Sequence, residues 1–317
     1  MSFSGMVKEE LSRQTSTARH CRIAETAALL SACGRITKDG SLRFQTENDA
    51  VVRKYFTLLQ KTFNIDTEIA IRESSLLKKG NVYHIEITDP LQVQNVLQGT
   101  KLSVNEGDGE TLYTENALLT QQSCCKRAFI RGAFLASGSI SDPEKGYHFE
   151  IVCATVHKAV QLQEIMNDFG VDAKIVQRKK HFVVYLKEGS QIVDMLNVMG
   201  AHVSLMELEN VRILKEMRNS VNRKVNCETA NIHKTVSAAV RQIEDIRYIQ
   251  QKIGFEQLSE GLAEIARLRL EQPEATLKEL GMMLSTPVGK SGVNHRLRKL
   301  SDIAETLRDN EEENYYD

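Results

Sequence analysis

The sequence predicts an α+β fold, a duplicated unit of helices and antiparallel hairpins followed by an all-α module. Three observations support this. A segment of roughly 100 residues recurs. Strand-like alternation stops after Gly200, and the chain closes on a capped short helix, a tight turn and a basic helix. At 317 residues the length suits about two domains.

The repeat shows in Ala27-Ala28-Leu29-Leu30-Ser31-Ala32-Cys33-Gly34-Arg35-Ile36 and Arg131-Gly132-Ala133-Phe134-Leu135-Ala136-Ser137-Gly138-Ser139-Ile140. Each reads as a small-residue helix ending in glycine. Small residues let two helices approach closely, and a terminal glycine suits a left-handed backbone. Downstream, Phe63-Asn64-Ile65-Asp66 echoes Phe169-Gly170-Val171-Asp172, with the glycines 104 residues apart and the phenylalanines 106. A helix-period stretch precedes each phenylalanine. A strand pair follows: 68–72 with 82–87, then 174–178 with 181–186.

These residues resemble the LAGLIDADG homing-endonuclease repeat, whose two helices pack about a pseudo-twofold axis. That family places a metal-binding acid just before the final glycine, where this chain has Cys33 and Ser137. Divalent-metal phosphodiester cleavage needs oxygen anions to hold the ion. The expectation is a nuclease-like scaffold with Cys33 and Ser137 as degenerate positions, without catalytic residues, cofactor or metal. Nearby Asp39 (before Gly40) and Asp142 (before Pro143) read as turn caps.

Residues 1–218 form the predicted duplicated domain, with units at about 20–110 and 124–218. The polar, Asn-rich stretch 219–230 reads as a linker or exposed loop. Residues 231–317 form the predicted helical domain. There, Asn231 to Gly254 is an amphipathic helix with Ile232, Val236, Val240, Ile243, Ile246 and Ile253 on one face. Phe255 to Glu271 is a second helix, ended by Pro273.

Thr276-Leu277-Lys278-Glu279 is a capping box. A short helix, the turn 285–290, and a last helix capped by Ser291 and running to about Leu307 make a helix-turn-helix over 276–308. Val293, Leu297, Leu300, Ile303 and Leu307 point inward. Lys290, Ser291, Asn294, His295, Arg296, Arg298 and Lys299 point outward as candidate DNA contacts. Asn suits adenine, Arg suits guanine, and Lys and the helix N-terminus suit phosphates.

Together the opening Ser2-Phe3-Ser4 and Val7-Lys8-Glu9-Glu10-Leu11, the two degenerate helices, Leu277–Leu280 and Lys290–Leu300 resemble the WhiA family of bacterial regulators. The resemblance implies a DNA-binding transcription regulator linked to sporulation, cell division and chromosome segregation. It also implies a C-terminal module similar to the promoter-reading domain of sigma factors.

Composition bounds the alternatives. The 41 Lys+Arg against 42 Asp+Glu leave a net charge of −1, so any nucleic-acid contact must be local. Residues 288–300 carry four basic residues and no acid, whereas 301–317 carry seven acids and one Arg. The acidic tail is expected to compete for the basic face. Arg178, Lys179 and Lys180 with His181, in a hairpin turn, and the basic run Arg212–Lys224 are candidates for a second, electrostatic DNA surface. Six cysteines form no C-x-x-C, and adjacent Cys124–Cys125 suit neither a disulfide framework nor a zinc clip. With no signal peptide and no long apolar run, a cytoplasmic, nucleoid-associated protein is expected, with no membrane or small-molecule partner. The predicted partner is double-stranded promoter DNA, with RNA polymerase or another regulator as a further candidate. The competing readings are a residual metal-dependent endonuclease and a protein-interaction module.

Overall fold

The computed structural model describes residues 1–73, 81–104, 112–113 and 117–316, with the side chains of 72–73 and 311–316 left aside. The expected first unit therefore ends partly outside the described residues, as do the side chains of most of the acidic tail. The chain forms two compact units, Met1–Glu216 and Met217–Asp317.

Unit one opens with α1 (Phe3–Arg13), whose Ser2 side chain accepts from Gly5 N, and then runs through the same series twice. The first copy is α2 (Arg19–Cys33), β1 (Gly34–Ile36), β2 (Leu42–Thr46), α3 (Asp49–Phe63), β3 (Ala70–Glu73), β4 (Asn81–Ile87) and α4 (Pro90–Thr100). The short pair β5 (Ser103–Val104) and β6 (Leu112–Tyr113) follows. The second copy is α5 (Ser123–Ser137), β7 (Gly138–Ile140), β8 (Phe149–Cys153), α6 (Val156–Asn167), β9 (Lys174–Arg178), β10 (His181–Leu186) and α7 (Gly189–Met199). The two antiparallel sheets have matching orders, β1-β2-β4-β3 and β7-β8-β10-β9. Each copy thus adds a closing helix to the helix–hairpin–helix–hairpin pattern legible in the sequence.

Alternation sets the sheet faces. Leu42, Phe44, Ile85 and Ile87 of one sheet, and Phe149, Ile151, Val184 and Leu186 of the other, point into one shared core. Phe44 stacks on Tyr55 at 4.0 Å, and Phe134 on Phe149 at 5.2 Å.

The helices α2 and α5 pack against each other through Ala24, Ala28, Ala128 and Gly132. A Cβ on Gly132 would stand 2.6 Å from Glu25 O and 2.9 Å from Ala28 Cβ, so only glycine fits there. The glycines ending the two helices have a different role from the expected one. Gly34 and Gly138 are extended, at φ −95° and −83°. They are glycine because a Cβ would strike Leu30 O at 2.7 Å and the Phe134 ring at 2.3 Å. The left-handed residues lie one helix later. Asn64 (φ 56°) and Gly170 (φ 80°) follow the echoing phenylalanines, and both residue types tolerate that conformation.

Between the copies lies a buried polar cluster. Arg131 donates to both Glu25 carboxylate oxygens at 2.8 and 2.9 Å, to Ser16 Oγ at 3.1 Å and to Met199 O at 3.3 Å. Lys54 Nζ pairs with Glu25 at 3.0 Å and donates to Gln14 O. Burial pulls the Lys54 ammonium below its usual value, against the opposing pull of Glu25.

The helix α8 (His202–Lys252) ends in unit two, which continues with α9 (Glu260–Glu271), α10 (Leu277–Met283) and α11 (Lys290–Tyr316). Residues 219–230, expected as a linker or exposed loop, are helical in α8. No Gly or Pro interrupts 201–253, so nothing locally breaks the helix. Three expectations for unit two are corrected. Ile232, Val236 and Val240 are exposed, and within unit two the buried face of α8 begins only at Ile246 and Ile249. The helix expected from Phe255 starts at Glu260, after a 3-10 turn at Phe255–Gln257. The last helix runs to Tyr316 rather than about Leu307.

Candidate nucleic-acid interface

In unit two, Leu280, Leu284, Val293, Leu297, Leu300 and Ala304 pack with Ile246, Ile249, Phe255, Ile265 and Ala266 in one apolar core. This core fixes which side of α11 faces out. The capping box forms as predicted: Thr276 Oγ1 accepts from Glu279 N at 3.3 Å, and Glu279 Oε2 accepts from Thr276 N at 2.7 Å. Glu264 Oε1 accepts from Ser285 N at 2.6 Å and ties the turn to α9. These backbone donors hold both carboxyls below the ordinary value.

Two residues that sequence periodicity does not single out shape this motif. A Cβ on Gly281 would meet Val288 O at 2.2 Å, and Val288 N donates to Gly281 O at 3.0 Å. The turn folds back onto a bare backbone. Arg269, buried on α9, donates to Gln242 Oε1 at 2.9 and 3.1 Å and to Ala275 O at 2.6 Å, just before the capping residue. The one available signal was the glycine inside a short helix, where glycine is otherwise unfavourable.

Lys290, Ser291, Asn294, His295, Arg298 and Lys299 are exposed on α11, as expected. Two details differ. The helix starts at Lys290 and Val293 N donates to Gly289 O at 3.1 Å, so Gly289 rather than Ser291 stands at the cap. Arg296 is half-buried instead of outward. Its guanidinium lies against Gly261 and donates to Gly261 O at 3.5 Å, with Glu264 nearby. The reason is geometric: Arg296 precedes Leu297 on the edge of the buried stripe, where a long side chain reaches α9.

In unit one, Lys179 and Lys180 form the exposed turn of the β9–β10 hairpin, with Lys179 left-handed at φ 56°. Arg178 is exposed but pairs with Glu150 at 2.8 Å, and Glu150 also binds His148 at 2.9 Å. On the other sheet Arg43 pairs with its cross-strand neighbour Glu86 at 2.8 Å. Within Arg212–Lys224, Arg212 pairs with Glu209 at 3.2 Å and Lys215 donates to Pro143 O at 2.6 Å. Arg218, Arg223 and Lys224 are exposed.

The helix C-termini that would carry nuclease acids are built differently. Ser137 Oγ donates to Val152 O at 2.8 Å. Burial pushes the Cys33 thiol up to about 11, and the neighbouring Lys8 opposes this. Beside them, Ser137, Cys153, Lys158 and His181 border a cavity of about 200 Å³ lined mainly by apolar side chains. The two nearby aspartates act as turn residues. Asp39 accepts from Ser41 Oγ at 2.8 Å, and Asp142 accepts from Glu144 N at 3.0 Å. Among the described residues, one group of metal-ligating side chains converges elsewhere, at the opposite ends of α2 and α5: His20, Cys21, Cys124 and Cys125.

Three family descriptions match in order along the chain. They are the WhiA N-terminal LAGLIDADG-like domain at 19–103, the WhiA LAGLIDADG-like domain at 126–218 and the WhiA C-terminal HTH domain at 221–304. A probable cell division protein WhiA of Lachnoclostridium phytofermentans is 60% identical, covering 97% of this chain and 100% of its own length. This chain belongs to the WhiA family. A second WhiA, from Clostridium novyi, is 50% identical over 97% of this chain and 99% of its own. The full-length DUF199/WhiA structure from Thermatoga maritima shares the fold, with a TM-score of 0.60 at 24% identity, over 96% of this chain and 99% of that one. The WhiA match thus establishes the LAGLIDADG-like half and the helix-turn-helix half together. No helix among the described residues is long and apolar enough to cross a membrane.

Proposed function

We propose that this WhiA-family chain is a non-enzymatic, sequence-specific DNA-binding protein. In this reading it regulates transcription from promoter DNA in the cytoplasm, on the nucleoid, in the service of cell division, the process named for its relatives. Sporulation and chromosome segregation remain part of the proposal. The observation that carries it is the exposed face of α11. Lys290, Ser291, Asn294, His295, Arg298 and Lys299 project from one helix end, with no acid between 288 and 300. Asn294 and Arg298 are the base-reading candidates; Lys290, Lys299 and the helix N-terminus would meet phosphates.

The non-enzymatic reading is supported by what stands at the nuclease positions. A neutral thiol and a hydroxyl already donating to backbone offer no anionic oxygen for Mg²⁺. Supercoiled plasmid incubated with Mg²⁺ or Mn²⁺ should stay intact. Metal-dependent nicking lost on Ser137→Ala would restore the endonuclease reading.

Unit one supports a weaker role on DNA. Lys179 and Lys180 are exposed, but Arg178 and Arg43 are neutralised by glutamates. This favours the second reading, in which unit one docks on a protein such as RNA polymerase. Genome-wide mapping of bound DNA, followed by salt titration on a recovered site, tests both. Specific sites whose affinity falls steeply with salt support DNA reading by unit two. Absence of specific sites, with a polymerase complex that survives high salt, overturns it.

A further inference from the structure

The geometry points to a structural zinc site formed by His20, Cys21, Cys124 and Cys125, clamping the N-terminal ends of α2 and α5 together. His20 and Cys21 come from one repeat and Cys124 and Cys125 from the other. They stand 104 positions apart, the same offset that separates Gly34 from Gly138. The internal duplication thus brings equivalent residue pairs together. In sequence they look like two unrelated dipeptides, which is why no zinc spacing was visible.

His20 Nδ1 lies 3.1 Å from Cys125 Sγ, 3.4 Å from Cys21 Sγ and 4.0 Å from Cys124 Sγ. All four donor atoms fall within 4.8 Å of one another. Tetrahedral zinc with Zn–S of about 2.3 Å and Zn–N of about 2.0 Å places its ligand atoms roughly 3.5–3.8 Å apart. The observed spacings, from 3.1 Å to at most 4.8 Å, bracket that range. The donor set is soft, three sulfurs and one imidazole, which selects zinc over Mg²⁺ or Ca²⁺.

The surroundings provide an independent indication. Neither α2 nor α5 has a side-chain N-cap or an acidic residue in its first turn. No acidic or capping side chain therefore competes for the positive ends of the two helices beside the cluster. Cys21 and Cys125 are buried among Ala24 and Ala128, while His20 and Cys124 are exposed and leave an entry path. Cys21 is about 18 Å along α2 from Cys33, at 1.5 Å per residue. The site therefore lies at the far end of the helix pair from the former nuclease positions. Four protein ligands leave no open position for substrate, which makes its role structural.

The test uses the whole 317-residue chain, reduced, stripped by chelator and titrated with Co²⁺. The expected result is saturation at one Co²⁺ per chain, with the visible absorption of tetrahedral, thiolate-bound cobalt displaced by Zn²⁺. Zinc should protect three thiols from a thiol reagent and raise Tm. The signal should vanish in Cys21→Ser and Cys124→Ser and persist in Cys227→Ser, which alters an exposed cysteine on α8. Absence of a thiolate–cobalt signature in the wild-type chain overturns the site whether or not the variants fold. So does a signature that survives in Cys124→Ser, or a Cys21–Cys125 disulfide that forms in place of metal binding.

Discussion

Glu25 and Arg131 form a two-pronged ion pair between the two repeats, with Nε–Oε1 at 2.8 Å, Nη2–Oε2 at 2.9 Å and no solvent access to the Glu25 side chain. Lys54 shares the same carboxylate, so one buried anion faces two cations. The pair holds α2 and α5 in register beside the bare backbone of Gly132.

Removing the anion should therefore cost more than removing either cation. Breaking a buried pair from one side costs about 3–5 kcal/mol. Glu25→Ala is expected at or above the top of that range, because it strands both Lys54 and Arg131. Arg131→Ala should cost less, since Glu25 keeps Lys54. Chemical denaturation of Glu25→Ala, Arg131→Ala and Lys54→Ala checks the order.

Gly281→Ala should destabilise unit two by about 1–3 kcal/mol and weaken DNA binding, because its Cβ would enter the space of Val288 O. Gly289→Ala, with nothing within 4 Å of a Cβ, should fold normally. Thermal unfolding and a gel-shift assay of both variants separate turn crowding from a general intolerance of side chains there.

Arg298→Ala should weaken binding to a mapped site by about 1–3 kcal/mol without changing Tm, as expected for base readout. Lys299→Ala should lower the salt slope by about one. Arg296→Ala should instead lower Tm together with affinity, because its guanidinium rests on α9. Equal affinity losses with unchanged Tm in Arg296→Ala and Arg298→Ala would show that Arg296 leaves Gly261 and reads DNA directly.

Acid should loosen the helix-turn-helix only as pH falls below the range in which ordinary carboxyls titrate. Glu264 and Glu279 both lie below their usual 4.5 in the folded chain, each held first by a backbone N–H. The native state therefore binds fewer protons than the unfolded one. This contribution is present above about pH 4.5 and lost as pH falls through the lowered values. Hydrogen exchange of 276–300 across that window should show the loss, and Glu279→Gln should flatten it.

Periodicity and local chemistry made much of this protein legible. The 104-residue echo revealed the duplication, and alternation revealed the hairpins. Thr276 and Glu279 announced the capping box, and the spacing of Val293, Leu297 and Leu300 placed the exposed basic positions of α11. Each of these depends on contacts within a few residues or on repetition. Length and sequence pattern together carry that information.

Other features needed the tertiary structure, because they depend on what lies across a gap from each residue. Gly34 and Gly138 looked like left-handed caps and are instead points of close packing. Arg296 looked like its neighbours until α9 offered Gly261 O. Ile232, Val236 and Val240 continue an apolar stripe that the unit-two core does not reach. Glu25, Lys54 and Arg131 are ordinary charged residues in sequence and become one buried cluster only when the two repeats meet. His20–Cys21 and Cys124–Cys125 are two unremarkable dipeptides until the packing of α2 on α5, which no local pattern encodes, brings them together.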